Sequence, residues 1–211
     1  MSIEPLRRTG RPDQQASEEL VRHIIDTATR LFIAHGYPAT SIEQIAAAAG
    51  SGKQTIYRRF ASKENLFIAV ISRQTQRLAE QAEAAGAPCA DPVEALRESC
   101  RRLFDFALMP DMIRLHRILV AEVSRFPDVG EYVLTNCMAP FRDLLNRQLL
   151  AAMDAGRIRR ADPALVQAML RGLVTGWPVQ QYLLGSEPFA SERERDTFFA
   201  AAWALFLGGV R

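Results

Sequence analysis

From Ser17 onward the chain sets apolar residues three and four positions apart between polar ones. Val21, Ile24, Ile25, Ala28, Leu31 and Phe32 keep that spacing up to Gly36, which predicts a first helix begun by a Ser17 N-cap with Glu18 and Glu19 in its first turn. Thr40 and Glu43 stand three apart as a capping box before Ile42, Ile45, Ala46 and Ala49, and Gly50 reads as the residue that stops this short second helix. Gly50 and Gly52 then turn the chain into a third short helix, Lys53 to Phe60, with Ile56 and Phe60 on one face. Two short helices across a glycine turn form a helix-turn-helix. Ser62 caps a longer helix to about Ala85, ended by Gly86-Ala87-Pro88.

Further on, Asp91-Pro92, Asp111, Asp128 and Asp162-Pro163 each look like an N-cap before an apolar-periodic stretch, and Ser191 with Glu194 repeats the capping box. Pro140 falls inside one stretch and Trp177-Pro178 inside another, so kinks are expected there. The pattern predicts an all-α fold of about nine helices and no strand. Residues 1–16 carry no period and read as a flexible basic arm, 17–66 as a helix-turn-helix domain, and 67–211 as a second helical domain.

Composition agrees. Ala 31, Leu 22 and Arg 24 fill 77 of 211 positions, against 32 for Val, Ile and Thr together, a balance that favours helix over strand. Lys+Arg 26 against Asp+Glu 24 leaves only +2, so the distribution of charge has to speak for any nucleic-acid role. Residues 1–70 hold 9 basic and 7 acidic side chains, the remainder 17 of each, and both lysines lie in the first part. Cys89, Cys100 and Cys137 are widely spaced and form no CxxC pair, so they read as reduced structural thiols and no metal is expected. The first twenty residues contain no apolar signal core and point to the cytoplasm. The longest charge-free apolar run, Phe198 to Val210, is thirteen residues against the roughly 20 that span a bilayer, which argues for a buried helix. His23, His35 and His116 are scattered, and no HExxH, GxSxG, GxGxxG or P-loop string occurs, so neither catalysis nor a cofactor is expected.

The ordered string Ile25-Asp26-Thr27-Ala28, Leu31-Phe32, His35-Gly36-Tyr37-Pro38-Ala39-Thr40-Ser41-Ile42, Ile45-Ala46, Ala49-Gly50, Lys53-Gln54-Thr55-Ile56-Tyr57, Phe60, Ser62-Lys63-Glu64 and Leu66-Phe67 closely resembles the TetR family of transcriptional repressors over about residues 20–70. A helix-turn-helix lays its second helix in the major groove, where its first turns reach base edges and its N-terminus meets phosphate. Lys53, Gln54, Thr55, Arg58 and Arg59 are the candidates, and Gln54, Thr55 and Arg58 lie off the Ile56/Phe60 face. Gln suits adenine and Arg suits guanine. The resemblance implies that Lys63, Tyr57 and the Thr40 hydroxyl hold phosphates. The chain departs from the family at the turn: the usual Val and Ser after Ala-Gly are here Ser51 and Gly52, Gln54 replaces a glycine, and Arg59 stands where His is common. Ser51 and Gln54 could then form a capping box that ties Gln54 to the helix end. Arg11, with Arg7 and Arg8, suits two roles, an arm threading the minor groove and a solubilising tail.

Leu115 to Glu122 with Arg125-Phe126-Pro127 resembles the AefR-like subgroup of the family's C-terminal domains. The resemblance implies a homodimer formed through the last two helices and bound to a palindromic double-stranded DNA operator. Leu165, Met169, Leu173 and Trp177, with Phe198, Ala201, Ala202, Leu205 and Phe206, suit that interface. It also implies a small hydrophobic effector. Phe104, Met112, His116, Phe141 and Trp177 are the candidate walls, with Phe106, Met109, Phe126, Tyr132, Met138 and Tyr182 behind them. The rival reading is a helical lipid- or partner-binding protein whose DNA motif is inactive.

Overall fold

A computed structural model of the chain describes residues 11–87 and 89–210, with side chains from Gln14 onward. The described residues form helices joined by short turns, without a strand, and divide into two compact units between Val70 and Ile71.

The first unit holds α1 (Arg11–His35), α2 (Ile42–Ala48), α3 (Lys53–Phe60) and the first two turns of α4 (Lys63–Gly86). Helix α1 starts six residues before the expected Ser17 cap. Gln14, Gln15 and Ala16 are adequate helix formers, Pro12 is tolerated in a first turn, and Gln14 bonds Glu18 one turn on at 3.3 Å. The core of this unit is a ring of three aromatics, Phe32, Tyr37 and Phe67, with centroids 5.4–5.6 Å apart, beside fully buried Ile24, Ile45, Ile56 and Leu66. Gly50 has φ +59°, and the bonds Gly50 N–H to Ala47 O and Ser51 N–H to Ala46 O close α2 as a Schellman motif.

The second unit holds the rest of α4, then α5 (Pro92–Ala107), α6 (Pro110–Glu122), α7 (Pro127–Tyr132), α8 (Ala139–Asp154), α9 (Pro163–Arg171), α10 (Trp177–Leu183) and α11 (Glu192–Val210). Two π-helical segments, Val133–Cys137 and Gly172–Gly176, follow α7 and α9. Counting the runs that these segments join as single kinked rods gives nine helices among the described residues. Each π segment ends just before a proline, Pro140 or Pro178, where kinks are predicted. A proline lacks the N–H and crowds the carbonyl four residues back, and one widened turn upstream absorbs the misfit. Leu96, Cys100 and Phe104 of α5 pack with Phe141, Leu145 and Leu149 of α8 and Phe199 of α11 to make the core. Arg101 joins Asp105 at 2.9 Å and Asp196 at 2.5 Å, tying α5 to α11.

Asp91 and Asp162 cap α5 and α9 through the N–H of Val93 and Ala164, and Ser62 and Ser191 accept from Asn65 and Glu194. Asp111 and Asp128 do not cap. Pro110 and Pro127 occupy the first helical position, so α6 and α7 begin earlier, with Met109 and Phe126 at the caps and the aspartates inside the first turn. No helix among the described residues is long and apolar enough to cross a membrane.

Candidate nucleic-acid interface and effector cavity

Helix α3 buries one side chain, Ile56, and leaves Lys53, Gln54, Tyr57, Arg58 and Arg59 exposed, with Thr55 half-buried. Its N-cap is Gly52, at φ −75° and ψ 140°, with no side-chain bond, so Ser51 and Gln54 form no capping box and Gln54 is not tied to the helix end. The extended backbone at Gly52 places the cap where the family carries serine. Lys53 pairs with Glu43 of α2 and lies 5.7 Å from the Tyr57 ring centre. That pair holds the Glu43 carboxyl below the ordinary carboxylate range and raises the Lys53 ammonium above its usual value. Arg59 donates to Ser17 Oγ of α1, and Arg58 has no ion pair among the described residues. Lys63, in the first turn of α4, sits 4.2 Å from the Tyr37 ring centre.

Thr40 differs from its expected role. It is 1% exposed and its hydroxyl donates to the carbonyls of Gly36 at 2.8 Å and Leu31 at 3.2 Å, closing the end of α1. In this position it has no hydroxyl to offer a phosphate. Ser41, one residue later, is the N-cap of α2: its Oγ accepts from Gln44 N–H at 3.1 Å while Gln44 reaches back to the Ser41 N–H at 2.7 Å. Arg11 opens α1, but its side chain, like Arg7 and Arg8, lies outside the described residues.

The second unit contains a cavity of about 500 Å³, walled by α4, α5, α6, the end of α9, the two π segments and α10. Met112, His116, Phe106 and Met138 line it, with Leu78, Leu103, Leu115 and Leu119 completing the apolar wall. Burial lowers the His116 pKa below the ordinary imidazole value, so this ring is neutral at pH 7. Phe104, Phe141 and Trp177 are not on that wall. Phe104 and Phe141 are fully buried in the core, and Phe104 is ringed by Phe189, Phe198 and Phe199 at 5.6–6.2 Å. Trp177 faces outward, 48% exposed, and stacks on Phe198 at 5.4 Å. Sequence reasoning missed Arg171, which lines the cavity. The available signal was a lone cation in the apolar run from Val166 to Val174.

Both π segments contribute to the wall, through Val133, Leu134, Thr175 and Gly176. The widened turns that accommodate Pro140 and Pro178 therefore also shape the cavity. Among the described residues no cluster of His, Cys, Asp and Glu is arranged to hold a metal ion.

Fold and site define a class: an all-α helix-turn-helix protein whose second unit is built around an apolar cavity. Residues 24–70 match the family described as bacterial regulatory proteins, tetR family, and residues 94–209 match the AefR-like transcriptional repressor, C-terminal domain. The chain belongs to the TetR family of transcriptional regulators. It is similar to the HTH-type transcriptional regulator AcrR of Shigella flexneri, 26% identical with 94% of each chain covered. Among solved structures it resembles a TetR-family regulator from Mesorhizobium loti MAFF303099, at TM-score 0.82 and 26% identity over 92% of this chain and 98% of that one. It also resembles the flavonoid-responsive regulator FrrA, at TM-score 0.70 and 26% identity over 92% and 98%.

Proposed function

We propose that the chain is a repressor that a small hydrophobic effector releases from a palindromic operator. Residues 17–66 read DNA and 67–211 bind the effector and dimerise. The observation that carries this reading is the exposed face of α3, where Gln54 and Arg58 are available for base edges and Lys53, Tyr57, Arg59 and Lys63 surround them as phosphate partners. The cavity supplies a place for the effector, and one structural relative is named as responsive to a small molecule. A homodimer is supported by Leu165, Met169, Leu173 and Trp177, which follow one another at four-residue intervals and are 37–64% exposed. Such an apolar stripe on a single chain matches a surface meant to be covered, and a two-fold operator needs a two-fold protein.

The test is footprinting of the DNA upstream of its own gene, with and without a panel of hydrophobic compounds. A symmetric protected site that a compound erases is expected. Weak binding that moderate salt abolishes, with no protected site, would instead favour a helical ligand- or partner-binding protein with an inactive DNA motif.

A further inference from the structure

Among the described residues Arg171 is the one formally charged side chain on the cavity wall, and no Asp or Glu is among its lining residues. It is half-buried, and its guanidinium has no carboxylate or carbonyl partner among the described residues. Its charge is disfavoured by burial and by the nearby cation Arg142. Arg142 is anchored on the Leu134 and Thr135 carbonyls of the first π segment, at 3.4 and 3.2 Å, and its acidic neighbour Asp143 is 4.0 Å away. An arginine stays protonated in such a place, so the end of the cavity near Arg171 is a positive pole set in apolar surroundings. Desolvated and unpaired, that charge is costly to the free protein and is compensated when an anion arrives. Neutral His116 and the Thr75 and Thr175 side chains, the two threonines already bonded to backbone carbonyls, add no competing negative charge.

We propose that the cavity takes an amphipathic carboxylate, an apolar body lying against Leu103, Phe106, Met112 and Leu119 with its carboxylate on Arg171. The planar guanidinium matches a carboxylate through two parallel N–H donors. This assignment rests on the effector reading above and narrows it to one ligand chemistry.

The experiment is titration calorimetry of the full chain with three probes of equal chain length, decanoate, decanol and decylammonium. Each is run on the wild type, Arg171→Gln and Arg171→Lys, with thermal melting of every protein. The wild type should bind decanoate about tenfold or more tightly than decanol, with decylammonium weakest. Arg171→Gln should bring decanoate to the level of decanol, and Arg171→Lys should keep part of the preference. Because Arg171 has no side-chain partner among the described residues, ligand-free Arg171→Gln should melt no lower than the wild type; a clearly lower melting point would mean a structural role and overturn the proposal. Equal affinity for decanoate and decanol in the wild type overturns the carboxylate assignment while leaving a hydrophobic effector standing. Binding of none of the probes overturns the assignment, and the footprinting panel then decides the effector reading separately.

Discussion

The Lys53–Glu43 pair makes the docking of α3 testable through salt. Both groups are exposed, so the pair contributes little to stability, and Lys53→Gln and Glu43→Gln should melt as the wild type does. On DNA the two residues act in opposite directions. In the proposed docking Lys53 neutralises a phosphate, while the Glu43 carboxylate competes for the same ammonium and repels the backbone. If each protomer of a dimer uses Lys53 once, Lys53→Gln removes two phosphate contacts, and at about 0.9 per contact the slope of log affinity against log salt falls in magnitude by about 1.8. Over a fourfold span of salt, 50 to 200 mM, the wild type then loses about twelvefold more affinity than the variant. With the phosphate taken at about 8 Å from the Glu43 carboxylate, removing one negative charge per protomer should tighten Glu43→Gln by about twofold per protomer at low salt, or fourfold per dimer, fading as salt rises. Fluorescence anisotropy on a labelled operator at five salt concentrations reads all three proteins. An unchanged slope in Lys53→Gln refutes the placement of Lys53 on phosphate, and weaker binding by Glu43→Gln refutes the competition.

Gly50→Ala should lose about 1–2 kcal/mol in urea denaturation, because space is open around an added Cβ while φ +59° is strained for alanine; an unaltered midpoint would show that the turn relaxes. Thr40→Val should cost about 1–2 kcal/mol through the lost bonds to Gly36 and Leu31, with Thr40→Ser recovering most of it and operator affinity of the folded protein retained. A large loss of affinity in a stable Thr40→Val would restore a phosphate role. Met169→Glu, at a 64% exposed position in the stripe, should give a monomer in sedimentation without unfolding the chain, and a persistent dimer would move the interface elsewhere. Ala107→Phe, on the cavity wall, should blunt the response to effector while sparing operator binding; an intact response would place the effector elsewhere.

Helix spacing, the glycine turn and half of the N-caps were readable along the chain because they depend on residues within four positions of one another. Gly50 as the stop of α2 and Asp91 and Asp162 as caps needed no knowledge of distant residues. Where two neighbours offered the same chemistry, local reading chose wrongly. Thr40 and Ser41 both carry a hydroxyl, and only packing decides that Thr40 turns in to the Leu31 and Gly36 carbonyls while Ser41 caps. Asp111 and Asp128 were displaced from the caps by the prolines before them.

The cavity depended on tertiary structure throughout. Phe104, Phe141, Met112 and His116 share a helical, apolar setting in sequence, yet the first two fill the core and the last two face open volume, because a void is left only where neighbouring helices fail to close. Prolines 140 and 178 announced kinks, but that these became π turns along one cavity follows from how α4, α6 and α10 surround it. Arg171 looked like an ordinary helix cation. Its distinguishing property, a charge near another cation on a cavity wall with no Asp or Glu among its lining residues, is a sum over side chains from distant parts of the chain, and no local pattern encodes that sum.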